Sequence, residues 1–190
     1  MRILHSRDYR VQPWKNGGGV TTEIIASPQG AGFETFDWRI SMARVAMPGP
    51  FSMFPGVDRT LALLDGAGIV LHMPGRGEVA LAKGAHPVSF PGDIPVDATL
   101  GGGEILDLNV MTRRGRWRHQ LSRVVVVGEF QLERRGDVTL ALLRATSGTV
   151  AGHGVDDGDA VLLDAEAGDQ KEKLTLHTQG ELWIADLWRL

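Results

Sequence analysis

Short apolar runs broken by Gly and Pro organise this chain. Arg59–Leu64, Ile69–Met73, Ile105–Met111, Val124–Val127, Val138–Leu143 and Leu182–Trp188 each read as a strand. Trp38-Arg39-Ile40-Ser41-Met42 and Asp107-Leu108-Asn109-Val110 alternate polar and apolar positions with the two-residue period of a pleated strand. Turn chemistry separates the runs, at Pro48-Gly49-Pro50, Pro55-Gly56, Asp65-Gly66, Pro74-Gly75, Pro91-Gly92 and Asp157-Gly158. No segment joins helix caps to a long apolar period of 3.6. Short strands at regular spacing predict an all-β barrel or sandwich.

The pattern also repeats. Thr60-Leu61-Ala62-Leu63-Leu64 recurs as Thr139-Leu140-Ala141-Leu142-Leu143, and Gly103-Glu104-Ile105-Leu106 is echoed, in the same order, by Gly180-Glu181-Leu182-Trp183. Two copies of one β-unit would give this order. The segment Arg59–Met111 resembles a cupin in its sequence of strands and turns. The expected architecture is therefore an all-β bicupin, with two β-barrel or jelly-roll units packed together. An N-terminal unit over residues 1–120 would carry the glycine-rich motif described below, and a shorter C-terminal unit would span 121–190.

Composition narrows the function classes. The chain has 190 residues, a formal net charge of −3 and no cysteine. Disulfides, thiolate metal sites and a thiol nucleophile are excluded. The acidic balance gives no bulk attraction to nucleic acid or to an anionic membrane, and no run approaches the length of a membrane span. A cytoplasmic location is the expectation. The basic run Thr112-Arg113-Arg114-Gly115-Arg116-Trp117-Arg118 is short and reads as a solvated loop after a strand. The six histidines are scattered, and Asp97 stands where a cupin would place a ligand histidine, so no metal and no other cofactor are expected.

The densest chemistry lies in Trp14-Lys15-Asn16-Gly17-Gly18-Gly19. Consecutive glycines are costly to order and serve where φ is positive or the backbone makes a close approach. Backbone N–H groups of Gly17 and Gly18 beside Lys15 and Asn16 could cradle a small anion; a plain turn between strands is the alternative. Arg59 shares a strand face with Leu61 and Leu63. Turned into a barrel it would need an anionic partner, either a ligand or one of Asp58, Asp65 and Asp107. Arg39 with Ser41, and Asp107 with Asn109, would face either the lumen or water. Phe54 could wall a mouth. The candidate ligand-binding set is Lys15, Asn16, Gly17, Gly18, Arg39, Ser41, Phe54, Arg59 and Asn109; no catalytic residue stands out.

Taken together, Trp14-Lys15-Asn16-Gly17-Gly18-Gly19-Val20-Thr21-Thr22-Glu23-Ile24, Trp38-Arg39-Ile40-Ser41, Gly49-Pro50-Phe51-Ser52, Phe54-Pro55-Gly56-Val57-Asp58-Arg59 and Asp107-Leu108-Asn109-Val110-Met111 resemble the HutD/Ves family. The resemblance implies a cytosolic bacterial bicupin associated with histidine utilisation, with formylglutamate as a candidate ligand and no firmly assigned enzymatic activity. The chain departs at Thr22, where the family often has Arg. The leading expectation is an accessory or regulatory protein that binds a small anionic metabolite. A metal-independent isomerase or hydrolase, and an oligomeric scaffold, are the alternatives. Partners beyond the metabolite are not expected, save a second copy in a homodimer, because bicupin sheets often pair across their edges.

Overall fold

The computed structural model describes residues 1–164 and 173–190. In chain order, β1 is Arg2–Leu4, β2 Arg10–Pro13, β3 Gly19–Ser27, β4 Trp38–Val45, β5 Gly49–Pro50, β6 Val57–Asp65, β7 Ile69–Met73, β8 Gly77–Leu81, β9 Val88–Pro91, β10 Asp97–Leu100, β11 Ile105–Arg113, β12 Trp117–Glu133, β13 Val138–Arg144, β14 Gly148–Val150, β15 His153–Val155, β16 Ala160–Asp164 and β17 Lys173–Arg189. A single 3₁₀ turn at Ser6–Asp8 is the only helical element among the described residues. The fold is all-β. The strands group into two compact units, one of Arg10–Arg118 and one of Met1–Tyr9 with His119–Leu190.

The unit Arg10–Arg118 is built from two sheets, a six-stranded one in the order β2-β3-β4-β11-β6-β9 and a four-stranded one in the order β5-β10-β7-β8. Leu61, Leu63 and Ile105 from the first sheet pack with Ile69, Leu71 and Ala98 from the second. Each such aliphatic side chain contributes about 1.5–3 kcal/mol by leaving water. The ladder register sorts the inner face of the larger sheet into rows. Val45 lies opposite Ile105, Ala43 opposite Asp107, Ser41 opposite Asn109 and Arg39 opposite Met111 on β4 and β11. Across β11 and β6, Asp107 meets Leu63, Asn109 meets Leu61 and Met111 meets Arg59. One face thus runs from apolar at the Val45 and Ile105 end to polar at the Arg39 and Arg59 end. The apolar end closes the core, and the polar end frames a cavity.

In the second unit β1 pairs antiparallel with β16, Arg2 opposite Leu162, so the first residues of the chain fold with its C-terminal part. Asp159 fixes this arrangement by accepting the Ser6 backbone N–H at 2.7 Å and meeting His5 Nδ1 at 3.1 Å. β13 lies between β16 and β17, while β12 pairs with β17. Ala141, Leu143, Val161, Leu163, Leu182 and Ile184 fill its core. The strands that hold the sequence repeats pair with each other in each unit, β6 with β11 and β13 with β17, though in different registers.

Most runs read from the sequence are strands, with Ile69–Met73 matching at both ends. Val124–Val127 is only the middle of the longer β12, and Val125 and Val127 there are exposed rather than buried. The polar residues Arg118, Gln120 and Ser122 hide the start of that strand from an apolar-run reading.

Candidate functional site

The hairpin β2–β3 is closed by the glycine-rich motif, and each glycine has a separate reason. Gly17 sits at φ +71°, a left-handed conformation that residues with a Cβ avoid, and donates its N–H to the Trp14 carbonyl at 3.1 Å. Gly18 donates to Asn16 Oδ1 at 3.0 Å, and its carbonyl accepts from Ala46 at 2.9 Å. Gly19 lies where a Cβ would stand 2.5 Å from the Arg44 carbonyl oxygen and 3.1 Å from the Trp14 ring. Trp14 is held over the sheet by its Nε1–H, which donates to Thr21 Oγ1 at 2.8 Å. The turn therefore aims Trp14, Lys15 and Asn16, while the Gly17 and Gly18 N–H groups are engaged inside it.

A cavity of about 810 Å³ opens beside this turn within the Arg10–Arg118 unit. That is within the usual size range for small-molecule sites. Its floor is the polar end of the inner face. Arg59 is only 7% exposed, and its guanidinium lies 4.6 Å from the Phe51 ring centre and 5.5 Å from that of Phe90. Its Nε and Nη2 both donate to Asn109 Oδ1, at 2.8 and 2.5 Å. No hydrogen bond to a described residue occupies Nη1, which is not sealed from the surface. Asn109 in turn donates from Nδ2 to Asp107 Oδ1 at 2.5 Å. Asp107 is 1% exposed, and its second oxygen, Oδ2, has no hydrogen-bond partner.

Arg39 forms a separate arm of the floor. Its Nε donates to Glu23 Oε2 at 2.7 Å, its Nη1 donates to Ser41 Oγ at 3.2 Å, and its guanidinium lies 5.1 Å from the Phe33 ring centre. The rim is aromatic, with Phe33 and Phe54 5.9 Å apart, and Phe33 and Met53 are both exposed. Arg113 ties the rim loops together by donating to the carbonyls of Glu34, Pro55 and Phe36 at 2.9–3.2 Å.

The electrostatics favour an anion. Lys15, Arg39, Arg59 and Arg113 line the cavity, against the carboxylates of Glu34 and Asp107. Burial lowers the Arg59 pKa to about 10; the charge of Asp107 raises it and that of Arg39 lowers it further. Burial raises the Asp107 carboxyl to about 7, opposed by the charge of Arg59, the Asn109 hydrogen bond and the Ala43 backbone N–H. The floor is a buried cation facing a neutral amide, with an under-satisfied carboxyl behind it.

Of the nine residues expected from the sequence, Lys15, Asn16, Arg39, Ser41, Phe54, Arg59 and Asn109 line this cavity. Gly17 and Gly18 are not in its wall, because the turn uses their N–H groups internally. The expected ion-pair partners of Arg59 lie elsewhere: Asp58 pairs with Arg114 and Asp65 with Lys83, while Asp107 is reached only through Asn109. Of the basic run, Arg113 is part of the rim and Arg114 and Arg116 pair with acidic neighbours. Asp107, read from the sequence as a possible partner of Arg59, lines the cavity outside the nine-residue set, and Glu23, which holds Arg39, is also outside that set.

The family model described as HutD matches residues 6–184. The chain belongs to the HutD family. It is 41% identical over 117 residues to Protein Ves of Citrobacter koseri, covering 61% of this chain and 60% of that protein. It is 36% identical over 121 residues to an uncharacterized 21.2 kDa protein in the hutC 3' region of Pseudomonas putida, covering 64% and 63%. The chain thus spans less than two thirds of the length of these curated relatives. The structure of HutD from Pseudomonas fluorescens SBW25 superposes with a TM-score of 0.84 at 30% identity, covering 100% of this chain and 98% of that one. YhhW of Escherichia coli, at 8% identity and a TM-score of 0.66, shares the cupin-like fold alone.

Proposed function

We propose that the chain is a small-carboxylate binding protein and serves histidine catabolism as an accessory or regulatory protein in the cytoplasm. Formylglutamate or a related intermediate is the candidate ligand. Family membership and the relative encoded in a hutC region support the pathway assignment. The observation that carries the binding reading is Arg59, a buried, cavity-lining cation whose acceptor is a neutral amide and whose Nη1 has no hydrogen bond to a described residue. A carboxylate is the planar, charged acceptor that a guanidinium fork matches. We read the two units as copies of one cupin-type unit, on the like pairing of β6 with β11 and of β13 with β17.

Charge-assisted hydrogen bonds are worth about 1.5–3 kcal/mol each, so two or three support micromolar affinity after the costs of association. Calorimetric titration with formylglutamate, urocanate and glutamate is the test. Heat should appear with at least one of them, vanish in Arg59→Ala and persist in Arg2→Ala, a surface change in the other unit. Absence of heat with all three at millimolar concentration would sink the reading.

One observation favours a second reading, a metal-independent isomerase or hydrolase. Burial pushes the Asp107 carboxyl up to about 7, where a group can take up and release a proton. Incubation with pathway intermediates followed by NMR separates the two. New resonances make the chain an enzyme, whereas unchanged spectra with demonstrated binding leave it a binder.

A further inference from the structure

We propose that the aromatic mouth of this cavity takes an apolar ring of the ligand. The ligand class is then a small acid with a carboxylate at one end and a ring at the other, rather than an acyclic acid. This inference rests on the binding reading above and narrows the ligand class within it.

The cavity wall changes character with depth. Arg39, Ser41, Arg59 and Asn109 line it and are buried, whereas Phe33 and Met53 line it at 49% and 58% exposure. Exposed apolar side chains scattered singly need no explanation, but those gathered around one cavity mark a binding surface. Phe33 also ends a column of rings. Phe36 is fully buried beside Val57 and Met111, the Phe54 ring centre lies 6.3 Å from that of Phe36, and Phe33 lies 5.9 Å from Phe54. One further ring at Phe33 would extend the column by the same kind of tilted contact and take apolar surface out of water. Met53, unbranched and adaptable, can close on such a ring.

The fold holds this mouth in place. Arg113 donates to the carbonyls of Glu34 and Phe36, between β3 and β4, and to that of Pro55, just ahead of β6. The Phe54 N–H donates to the Gly92 carbonyl at 2.7 Å, and the Phe51 N–H to the Val96 carbonyl at 2.8 Å. Both loops that present the apolar side chains are therefore tied through their backbones. Charge selects the occupant. The same cavity is lined by Arg59, a buried cation on a neutral acceptor, so its occupant needs an anionic end as well as an apolar one. An acyclic acid with polar groups at both ends would set one of them against the rings and leave it short of partners.

trans-Cinnamate and crotonate test this, because they share one acrylate and differ in a phenyl against a methyl group. In calorimetric titration of the wild-type protein, cinnamate should bind at least about tenfold more tightly. Phe33→Ser and Met53→Ser alter exposed side chains, which the fold tolerates. Each should bring the preference down several-fold, whereas Arg2→Ala, a surface change in the other unit, should keep it. Phe33 also lies 5.1 Å from the Arg39 guanidinium, so Met53→Ser is the variant that reads the mouth alone. Equal affinities in the wild type, a preference that survives both substitutions, or a dimer in light scattering that Phe33→Ser dissolves would overturn the role of the mouth and leave the binding reading standing. Failure of cinnamate where an acyclic acid binds would do the same. Absence of heat with every acid tried would remove the binding reading itself and this inference with it.

Discussion

Arg59 directs two N–H groups, from Nε and Nη2, at a single atom, the side-chain oxygen of Asn109. The cation is thereby oriented on a neutral acceptor, with its guanidinium 4.6 Å from the Phe51 ring centre and 5.5 Å from that of Phe90. A buried cation set on a neutral acceptor costs stability.

Arg59→Met should accordingly separate stability from binding. Removing a buried charge relieves its desolvation, and the orphaned Asn109 oxygen offsets part of the gain. Urea unfolding should place the variant within about 1 kcal/mol of the wild type or above it. Carboxylate binding should disappear from the calorimetric titration. A large loss of stability would show that Arg59 is chiefly structural.

Glu23→Gln should act in the opposite sense. Glu23 holds Arg39 through a 2.7 Å hydrogen bond. Neutralising it leaves Arg39 as a second uncompensated cation at the cavity floor. Anion affinity should rise several-fold, and stability should fall by about 1–3 kcal/mol, because the Arg39 charge remains buried. Parallel titration and denaturant unfolding check both signs.

Asp107 makes stability depend on pH in a defined direction. Its folded-state pKa, about 7, lies above the ordinary 3.8 because burial disfavours the charge. A group raised in this way contributes stability that is complete below the ordinary value and is lost as pH rises through the folded one. The wild-type protein should lose stability relative to Asp107→Asn between about pH 4 and pH 7, by a few kcal/mol in all. The difference between the two unfolding curves isolates this group from the other carboxylates. A pH-independent difference would contradict the assignment.

Within the glycine motif, Gly19→Ala should be the damaging change and Gly17→Ala the mild one. A Cβ on Gly19 meets the Arg44 carbonyl at 2.5 Å and the Trp14 ring at 3.1 Å, so backbone and indole must both shift. A Cβ on Gly17 meets nothing within 4 Å and carries only the strain of its positive φ. That strain is worth about 1–2 kcal/mol. Gly19→Ala should destabilise by several kcal/mol, in the range of overpacked sites. It should also alter tryptophan fluorescence as Trp14 leaves the cavity wall.

The sequence made the floor of the site legible wherever alternation was clean. Arg39 with Ser41, Asp107 with Asn109, and Arg59 with Leu61 and Leu63 each share a face, as their spacing implies. Which face was inward was not legible, because β4, β6 and β11 are buried almost throughout their length and both sets of residues leave water. Pairing between strands was also hidden. That Asn109, rather than an aspartate, receives Arg59 depends on the register of β11 against β6, and that register shifts beside Asp107. The glycine turn misled for a local reason: the Asn16 side chain and the Trp14 carbonyl take the N–H groups that looked available for an anion.

The pairing of β1 with β16 sets an order of events during synthesis. Residues 2–4 leave the ribosome well before their partners at 160–162, which follow roughly 160 residues later. At 5–20 residues per second that interval is about eight to thirty-two seconds. All strands of the Arg10–Arg118 unit are available by then, so the cavity-bearing unit can close around its core while the leading segment still waits. A substitution that weakens β1 would therefore burden the late-closing unit and spare the one that holds Arg59.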